Sequence, residues 1–266
     1  MKKLIALDID DTLTNQTGKI SLENIQAVRT CQEKGHIIAL VSARPPQGVE
    51  IVAQELGGEI YRISYIGALI QSSNQEEILR LTLPFAVAKD IAKFADENRY
   101  SLTLTINDKE FHSQNKIRKS MTKSESVDSA GITIDNWGAP IIIGVHDPIS
   151  AVAIFDYCLQ EHANSINMPR HLNQNGIIAS LLIVDSQAQK GKALLSLCQK
   201  LSVQPENVVA IGDSESDISM FQIAGQSVAV ANASPIVKEA ASLVAPFDSN
   251  IGVAWALNHL NLTNQQ

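Results

Sequence analysis

Two aspartates near the N-terminus carry the strongest chemical signal in the sequence. Asp8 and Asp10 follow the apolar run Leu4–Leu7, and Thr12 comes shortly after them. Side chains alternate between the two faces of a strand, so a strand ending here would direct both carboxylates the same way. Two carboxylates that close repel each other, and one takes up a proton unless a cation is bound. An acidic turn or a helix cap would give the same short pattern.

A second acidic pair stands in the segment 212–217, directly after the apolar run Val208–Ile211. Asp213 would leave the strand, and Asp217 would lie one helical turn later on the same face. Carboxylates that converge from two strand ends form a site for a hard cation. Mg²⁺ suits it, because this ion needs few protein ligands and keeps waters and phosphate oxygens. Asp213 alone could instead cap a helix.

A third polar element, Ser42-Ala43-Arg44, follows the apolar run Ile37–Val41. A hydroxyl and backbone amides at the start of a predicted helix suit a phosphate oxygen. Serine in this place is also an ordinary helix cap.

Two more residues could contact a bound anion. Lys190 precedes Gly191, which favours Lys190 over Lys192 as the cation near a tight backbone, although most lysines are simply solvated. Asn232 follows the last apolar run and is a candidate rim residue, with helix capping as its alternative.

The elements that position these residues can be predicted from hydrophobic patterning. Continuous apolar runs suit strands covered on both faces, as in a parallel sheet. Leu22, Ile25, Val28 and Cys31 recur at helical spacing between two such runs. We therefore expect a doubly wound, mostly parallel α/β sheet whose ligand site lies at the carboxyl ends of the strands. The four runs are Leu4–Leu7, Ile37–Val41, Val208–Ile211 and Ser227–Val230. Capping and helix-breaking residues also fit this pattern, namely Ser21, Gly35, Pro45, Pro46 and Gly57.

The middle of the chain mixes helices with short alternating strands, which is typical of an α+β unit. We expect residues 83–186 to form an inserted domain, and residues 1–82 and 187–266 to form one core from both ends of the chain. The polar stretch Lys116–Ser129 is interpreted as a solvated loop. The predicted helices of the insert are 84–98 and 150–160. Its predicted strands are 101–106, 110–113, 140–145, 165–168 and 177–184.

Composition excludes several classes of protein. The chain has 266 residues, 45% of them hydrophobic, with 21 Lys+Arg against 28 Asp+Glu and a net charge of −7. This length suits one large or two modest domains. An acidic chain without a dense basic run argues against nucleic-acid or anionic-membrane binding. A small anionic ligand would need a locally positive binding site.

Three scattered cysteines are too few for a disulfide framework. The apolar run at Leu4–Leu7 is too short for a signal peptide, and no window reaches the length of a membrane span. The expected location is the cytoplasm.

Taken in order around the insert, these elements resemble the haloacid dehalogenase superfamily, in its Cof-type phosphatase branch with a type IIB α/β cap. The resemblance spans the whole chain, through Asp8, Asp10 and Thr12, then Ser42, Lys190, Asp213 and Asp217. It implies a hydrolase of phosphoric monoesters.

The resemblance also implies roles. Asp8 would be the nucleophile that forms an aspartyl-phosphate, and Asp10 the acid and base. Ser42 and Lys190 would hold the phosphoryl group. The Mg²⁺ ligands would be Asp8, the Asp10 carbonyl and Asp213, with Asp217 orienting the waters of the metal. Phosphoryl transfer between anions needs positioning and cancellation of charge, which this set supplies.

Three positions depart from the family pattern. Ser216 replaces the usual Asn before the last acid, Ile66-Gly67-Ala68 replaces Asn-Gly-Ala, and Ser42-Ala43-Arg44 replaces Thr-Gly-Arg. No nucleophile, metal ligand or lysine is lost, so these changes bear on rate or substrate choice.

The expected substrate is a small phosphorylated metabolite such as a sugar phosphate, because a cap that closes over the site leaves little room for a macromolecule. A phosphomutase would share the aspartyl-phosphate step, and a receiver-like module would be phosphorylated without turnover. A metal-free dehalogenase would leave Asp10 and Asp213 without a task. The candidate cap contacts are His112, Lys116, Arg118, Lys119, His146, Arg170 and His171.

Overall fold

A computed structural model describes residues 2–113, 125–127 and 129–264, with the backbone alone at 125–127. The chain divides into two compact units. One combines Met1–Leu79 with Gln189–Gln266, and we call it the core unit. The other is Arg80–Ala188, which we call the inserted unit.

The described residues form strands and helices throughout both units. The strands are β1 Leu4–Asp8, β2 Ile37–Val41, β3 Ile60–Ser64, β4 Leu69–Gln71, β5 Glu77–Arg80, β6 Thr103–Ile106, β7 Lys109–Ser113, β8 Glu125–Val127, β9 Ile142–Val145, β10 Ile166–Asn167, β11 Arg170–Leu172, β12 Ile178–Asp185, β13 Val208–Gly212, β14 Gln226–Ala229 and β15 Leu243–Val244. The helices are α1 Leu22–Glu33, α2 Pro46–Leu56, α3 Phe85–Asn98, α4 Ala130–Trp137, α5 Pro148–Glu161, α6 Lys190–Leu201, α7 Ile218–Phe221, α8 Pro235–Ala240 and α9 Gly252–His259. Short 3-10 turns lie at Tyr65–Gly67, Pro205–Asn207 and Glu215–Asp217.

The first sheet has the strand order β15-β14-β13-β1-β2-β3-β4-β5 among the described residues. The pairs from β15 to β3 are parallel, and β3 pairs with β4 antiparallel. All four strands predicted from apolar runs belong to this sheet. The prediction of a mostly parallel α/β fold is confirmed.

Alternate residues of the central strands enter hydrophobic clusters on opposite faces of the sheet. Ile5 and Leu7 of β1 pack into a cluster with α1, α2 and α9. Leu4 and Ala6 pack with residues of α6, α7 and α8 on the other face. Burial on both faces explains why β1 is apolar from Leu4 to Leu7, since neither face can carry a polar side chain at little cost.

Two details of the predicted core are different in the structure. Leu22 is 71% exposed, whereas Asn24 is completely buried in α1. Strand β3 was not predicted from the sequence, because Arg62 interrupts its apolar run. Arg62 is nevertheless only 6% exposed, and its Nε lies 2.6 Å from the Glu50 carboxylate of α2. A paired and hydrogen-bonded arginine can occupy a buried strand position.

The inserted unit is an α+β structure with its own core. Its sheet runs β10-β12-β9-β6-β7-β8 among the described residues, with β11 also paired to β12. Helices α3, α4 and α5 share one hydrophobic cluster with the inward residues of this sheet, among them Leu104, Ile143 and Ile183. The predicted loop Lys116–Ser129 is wrong in its last part, because 125–127 form strand β8. Its first part, 116–124, lies outside the described residues.

Parallel order brings the C-terminal ends of β1, β2 and β13 side by side, because β1 lies between the other two. Asp8 ends β1, Ser42 directly follows β2, and Asp213 directly follows β13. The sheet therefore gathers residues that lie far apart in the chain. None of the helices in the described part of the chain combines the length and apolar character that a membrane-spanning segment requires.

Candidate active site

Asp8 is a buried carboxylate at the centre of the sheet edge, with 4% of its surface exposed. Its Oδ1 lies 2.6 Å from the Nζ of Lys190. Burial raises the pKa of Asp8 well above its ordinary value, the nearby Asp217 raises it further, and Lys190 opposes both. Asp8 is therefore a desolvated carboxylate with a lysine partner. A desolvated carboxylate of this kind can act as a nucleophile when it is ionised.

Lys190 is the first residue of α6 and is 3% exposed. Its ammonium donates to Asp8 Oδ1 at 2.6 Å and to Asp217 Oδ1 at 2.7 Å. Burial lowers the pKa of Lys190, but the charges of Asp217 and Asp8 outweigh that effect and raise it above the ordinary value. Lys190 thus stays charged, whereas Lys192 on the same helix is exposed.

Gly191 explains how α6 comes so close to the acidic segment. A Cβ at this position would lie 2.1 Å from the carbonyl oxygen of Ser219. The N–H of Gly191 donates to Ser219 Oγ at 3.0 Å, and that hydroxyl donates to the Ser216 carbonyl at 2.9 Å. Only glycine allows this approach, and Lys190 is placed by it.

Asp217 is completely buried and surrounded by donors. Oδ1 accepts from Lys190, while Oδ2 accepts from the backbone N–H groups of Asp213 and Ser214 and from the Ser214 hydroxyl. A carboxylate has about four acceptor sites; here three donors meet Oδ2 and one meets Oδ1, so protein donors engage both oxygens of Asp217. Its chemistry is to fix Lys190 and to shape the loop that carries Asp213.

Gly212 makes this loop possible in the same way as Gly191 serves α6. A Cβ at Gly212 would lie 2.5 Å from the Asp217 carboxyl carbon. Sequence reasoning missed both Gly212 and Ser214 as parts of the site. The Ser-x-x-Asp spacing of a capping box was the available signal for Ser214.

Asp213 completes a cluster of acids. It accepts a hydrogen bond from the Thr12 hydroxyl at 2.6 Å. Oxygen atoms of Asp8, Asp213 and Asp217 all lie within 4.8 Å of one another. Burial raises the pKa of Asp213, against the opposing effect of the Thr12 hydrogen bond. Three carboxylates and one ammonium leave an excess of negative charge in a buried place.

This donor set fits Mg²⁺. Hard divalent cations prefer carboxylate oxygens, and Mg²⁺ is commonly held by one or two protein carboxylates. Asp8 and Asp213 are available for this task, whereas the oxygens of Asp217 are engaged by protein donors. A cation would also offset the repulsion that raises the pKa of Asp8.

Asp10 lies apart from this cluster. Strand β1 ends at Asp8, so the alternation expected to align the two carboxylates does not extend to Asp10. Its side chain is 57% exposed and contacts Arg44, with Nη2 to Oδ1 at 2.6 Å and Nε to Oδ2 at 3.0 Å. Strand alternation therefore does not by itself align the two carboxylates, which have different partners, Lys190 for Asp8 and Arg44 for Asp10.

Ser42 is 1% exposed at the end of β2. Its Oγ accepts from the N–H of Arg44 at 3.1 Å, so its own hydrogen can be donated outward. Helix α2 begins at Pro46 after Pro45, as the sequence predicts, and neither proline has an N–H group to offer. The amides near Ser42 therefore belong to the loop of Ala43 and Arg44.

Asn232, a predicted rim residue, is exposed but has both ends of its amide bonded to backbone. Nδ2 donates to the Asp11 carbonyl at 2.7 Å, and Oδ1 accepts from Ser249 N–H at 3.0 Å. The cap of helix α8 is Ser234, so Asn232 is not a helix cap.

Two of the unusual sequence positions have clear local structures. Ser216 Oγ lies 2.8 Å from Ser214 Oγ, so the shorter side chain still takes part in the acidic loop. Ile66 has a left-handed φ of 61°, where a β-branched residue is strained. The following Gly67 has a φ of 107° and would bring a Cβ to 2.6 Å from the Gln189 carbonyl. This turn therefore packs against the start of α6.

The candidate cap contacts lie in the inserted unit. His112 Nδ1 lies 2.8 Å from the Thr103 hydroxyl, and the Arg170 guanidinium lies over the Phe155 ring at 4.8 Å. His146 and His171 are exposed. Lys116, Arg118 and Lys119 lie outside the described residues.

Comparison with known proteins gives a consistent result along the whole chain. Residues 5–257 match the family described as haloacid dehalogenase-like hydrolase. YxeH of Bacillus subtilis, a putative phosphatase, is 30% identical, with 98% of this chain and 99% of that protein aligned. The 5-amino-6-(5-phospho-D-ribitylamino)uracil phosphatase YwtE of the same organism is 26% identical over 97% and 98% of the two chains. Among solved structures, TM0651 from Thermotoga maritima has a TM-score of 0.84 at 22% identity, covering 97% of each chain, and so shares the fold.

Proposed function

From the premise that this chain belongs to the haloacid dehalogenase-like hydrolases, we propose that it is a Mg²⁺-dependent phosphatase that works through an aspartyl-phosphate on Asp8. The chain is a phosphoric monoester hydrolase of small phosphorylated substrates, as the match to phosphatases of this family indicates. The observation that carries the proposal is the buried Asp8 carboxylate, which contacts Lys190 at 2.6 Å and lies within 4.8 Å of two more acids.

In the first step, an oxygen of Asp8 attacks the phosphorus atom and the bond to the ester oxygen breaks. Asp10 gives its proton to that leaving oxygen, which departs as an alcohol. Lys190 and the Ser42 hydroxyl donate to oxygens of the transferring group. Thr12 holds Asp213 through its hydroxyl, while Asp217 holds Lys190.

In the second step, a water molecule attacks the phosphorus of the aspartyl-phosphate. Asp10 takes one proton from that water, phosphate is released, and the Asp8 carboxylate is restored. The two displacements therefore use the same pair of acids, with Asp10 in opposite protonation states.

Mg²⁺ would be held by Asp8, Asp213 and the Asp10 carbonyl, and when bound it neutralises charge on the phosphoryl oxygens. The acidic cluster supports this assignment, since Lys190 alone does not balance three carboxylates.

The substrate class that we propose is a phosphorylated sugar or a related polyol phosphate. YwtE acts on a phosphoribityl compound, as its name states, and the related fold of a sugar phosphatase covers 98% of this chain at a TM-score of 0.80. We further propose that the inserted unit acts as the cap that selects among such esters. The three described cysteines are free thiols, which supports a reducing compartment such as the cytoplasm.

A phosphate-release screen over phosphorylated metabolites, run with and without Mg²⁺, tests this function. We expect release of free phosphate from at least one sugar or polyol phosphate, and its loss after chelation. Isomerised sugar phosphate without free phosphate would instead indicate a mutase. A stable phosphoprotein without turnover would indicate a receiver-like module, and efficient release from phosphoproteins alone would contradict the small-substrate class.

A further inference from the structure

In the turn after β1, several groups donate hydrogen bonds to one carbonyl oxygen, that of Ile9. The N–H groups of Leu13 and Thr14 donate to the Ile9 oxygen at 3.0 and 2.9 Å, and the Thr14 hydroxyl donates to it at 3.0 Å. Asp11 takes a left-handed φ of 57° within this turn, a conformation that costs free energy for any residue with a side chain. Asp10 directly precedes it, so the turn decides where this acid lies.

Two amide side chains hold the turn to one neighbouring loop. Asn232 Nδ2 donates to the Asp11 carbonyl at 2.7 Å, and Asn232 Oδ1 accepts from the N–H of Ser249 at 3.0 Å. Asn24 Nδ2 donates to the Leu13 carbonyl at 3.3 Å and to the Ser249 carbonyl at 2.8 Å. The backbone of Ser249 is thus the common anchor for both sides of the turn.

The two amides differ in burial. Asn24 is completely buried and also accepts from the Ala254 N–H at 2.9 Å. Replacing it would leave several buried backbone groups unpaired, which destabilises a fold strongly. Asn232 is exposed, so water can replace its hydrogen bonds. Its loss should leave the fold intact and affect the turn alone.

We propose that Asn232 is a positioning residue for Asp10, acting through the Asp11 carbonyl. This inference rests on the proposed function, in which Asp10 protonates the leaving oxygen. The amide is bonded to backbone at both ends, so its polar groups serve the turn and not the substrate. A shift of about 1 Å in a catalytic group can cost about 10²-fold in rate, and this contact stands one residue from the acid.

Asparagine is the side chain that this position requires. A donor must meet the Asp11 carbonyl while an acceptor meets the Ser249 N–H. Aspartate has the same shape and keeps the acceptor, but it cannot donate when ionised. Asn232→Asp therefore removes the contact to Asp11 and places a carboxylate against a carbonyl oxygen.

The dependence on the leaving group separates positioning of Asp10 from other roles. An alkyl ester needs a proton on its departing oxygen, whereas p-nitrophenolate leaves without one. The kcat/KM value reports the steps up to departure of the leaving group. Misplacing Asp10 should therefore lower kcat/KM for an alkyl phosphate far more than for p-nitrophenyl phosphate.

The test compares wild type, Asn232→Asp and Asn250→Asp with both substrates in saturating Mg²⁺. Asn250 is exposed in the same loop as Ser249, and its side chain contacts those of Asn15 and Asp248, so this control adds the same charge nearby. We expect Asn232→Asp to lower kcat/KM about 10- to 100-fold for the alkyl phosphate and by less than about 3-fold for p-nitrophenyl phosphate. The control should change neither value appreciably.

Three results would overturn the inference while the wild type remains active. Equal losses with both substrates would indicate an effect on the whole site, either through the fold, which thermal melting would detect, or through the Asp10 carbonyl at the metal site. A higher KM with unchanged kcat for both substrates would indicate substrate binding, and unchanged kinetics would show no role. A wild type without Mg²⁺-dependent release from any ester would instead overturn the proposed function, and with it the premise of this inference.

Discussion

Arg44 contacts Asp10 through two of its nitrogens, with Nη2 2.6 Å from Oδ1 and Nε 3.0 Å from Oδ2. The two residues follow neighbouring strands, so the fold places a forked cation against the proposed acid. Such a fork fixes the direction of a carboxyl group. Asp10 is thus held from two sides, by Arg44 at its carboxylate and by the Asn232 contact near its backbone.

Arg44→Lys should lower kcat by about tenfold, because lysine keeps the charge but not the fork. The pair is partly exposed, with 27% and 57% of the two side chains accessible, so the free energy of unfolding should change by less than about 1 kcal/mol. Steady-state kinetics and thermal melting check both statements. Arg29→Lys is a suitable control, since Arg29 contacts backbone carbonyls of Glu55 and Leu56. A rise in KM alone would assign Arg44 to phosphate binding.

Asp8→Asn should abolish turnover, with a loss of at least about 10⁴-fold in kcat, because no other carboxylate can replace the nucleophile. The fold should survive, since Lys190 keeps its contact with Asp217 at 2.7 Å. Circular dichroism and phosphate release measure the two effects. Mass spectrometry must confirm that the introduced asparagine has not deamidated. Appreciable activity of the verified Asp8→Asn variant would contradict the assignment of the nucleophile.

The raised pKa values of Asp8 and Asp213 predict how stability depends on pH. A carboxyl whose pKa is higher in the folded state contributes stability that is complete below its unfolded pKa of about 4. That contribution is lost as pH rises through the folded pKa. Metal-free protein should therefore become less stable as pH rises from about 4 through the raised pKa values of the two folded-state carboxyls, and Mg²⁺ should restore stability by binding the folded state.

Asp213→Asn should reduce both the loss of stability with rising pH and the stabilisation by Mg²⁺. Without metal at neutral pH, this variant should melt about 2–4 °C above wild type, which corresponds to about 1 kcal/mol for a chain of this size. Its melting temperature should respond little to Mg²⁺. Calorimetry with and without Mg²⁺ provides the measurement, and Asp156→Asn, at an exposed position, controls for net charge. If Mg²⁺ stabilises Asp213→Asn as much as it stabilises Asp156→Asn, Asp213 is not a ligand.

Gly191→Ala should cost about 1–3 kcal/mol of stability, because the new methyl group would overlap the Ser219 carbonyl. Movement of the α6 terminus would displace Lys190 and reduce kcat by up to about 10²-fold. Gly131→Ala in α4 is the matched control, since its Cβ would have its nearest neighbour at 3.5 Å. Chemical denaturation and kinetics measure both effects. Full activity and stability in Gly191→Ala would show that the helix can shift without moving Lys190.

Sequence patterns were sufficient where burial decides the structure. The apolar runs predicted β1, β2 and β13, because a strand covered on both faces has no polar position to obscure its pattern. They missed β3, since the buried Arg62 depends on Glu50 from another element. They also placed Leu22 inside and overlooked Asn24, whose partners at Leu13 and Ser249 only the folded chain brings together.

The candidate site likewise divides into residues that could be predicted from the sequence and contacts that only the folded chain defines. Asp8, Lys190 and Asp213 could be selected because residue type, strand ends and order resemble a known pattern. The partner of Asp10 could not be selected, because β1 ends before Asp10 and its carboxylate turns towards Arg44. The engagement of Asp217 by four donors likewise depends on loop geometry that spacing alone does not define.

The central position of β1 has a consequence for the synthesis of the protein. β1 leaves the ribosome well before its partner β13, which begins at Val208. Until then β1 can pair with β2 alone, and its other edge remains an uncovered template for foreign strands. The nascent chain therefore carries an aggregation hazard until β13 has been synthesised. The closing of that edge by β13 coincides with assembly of the Thr12–Asp213 contact, 201 residues apart in the chain.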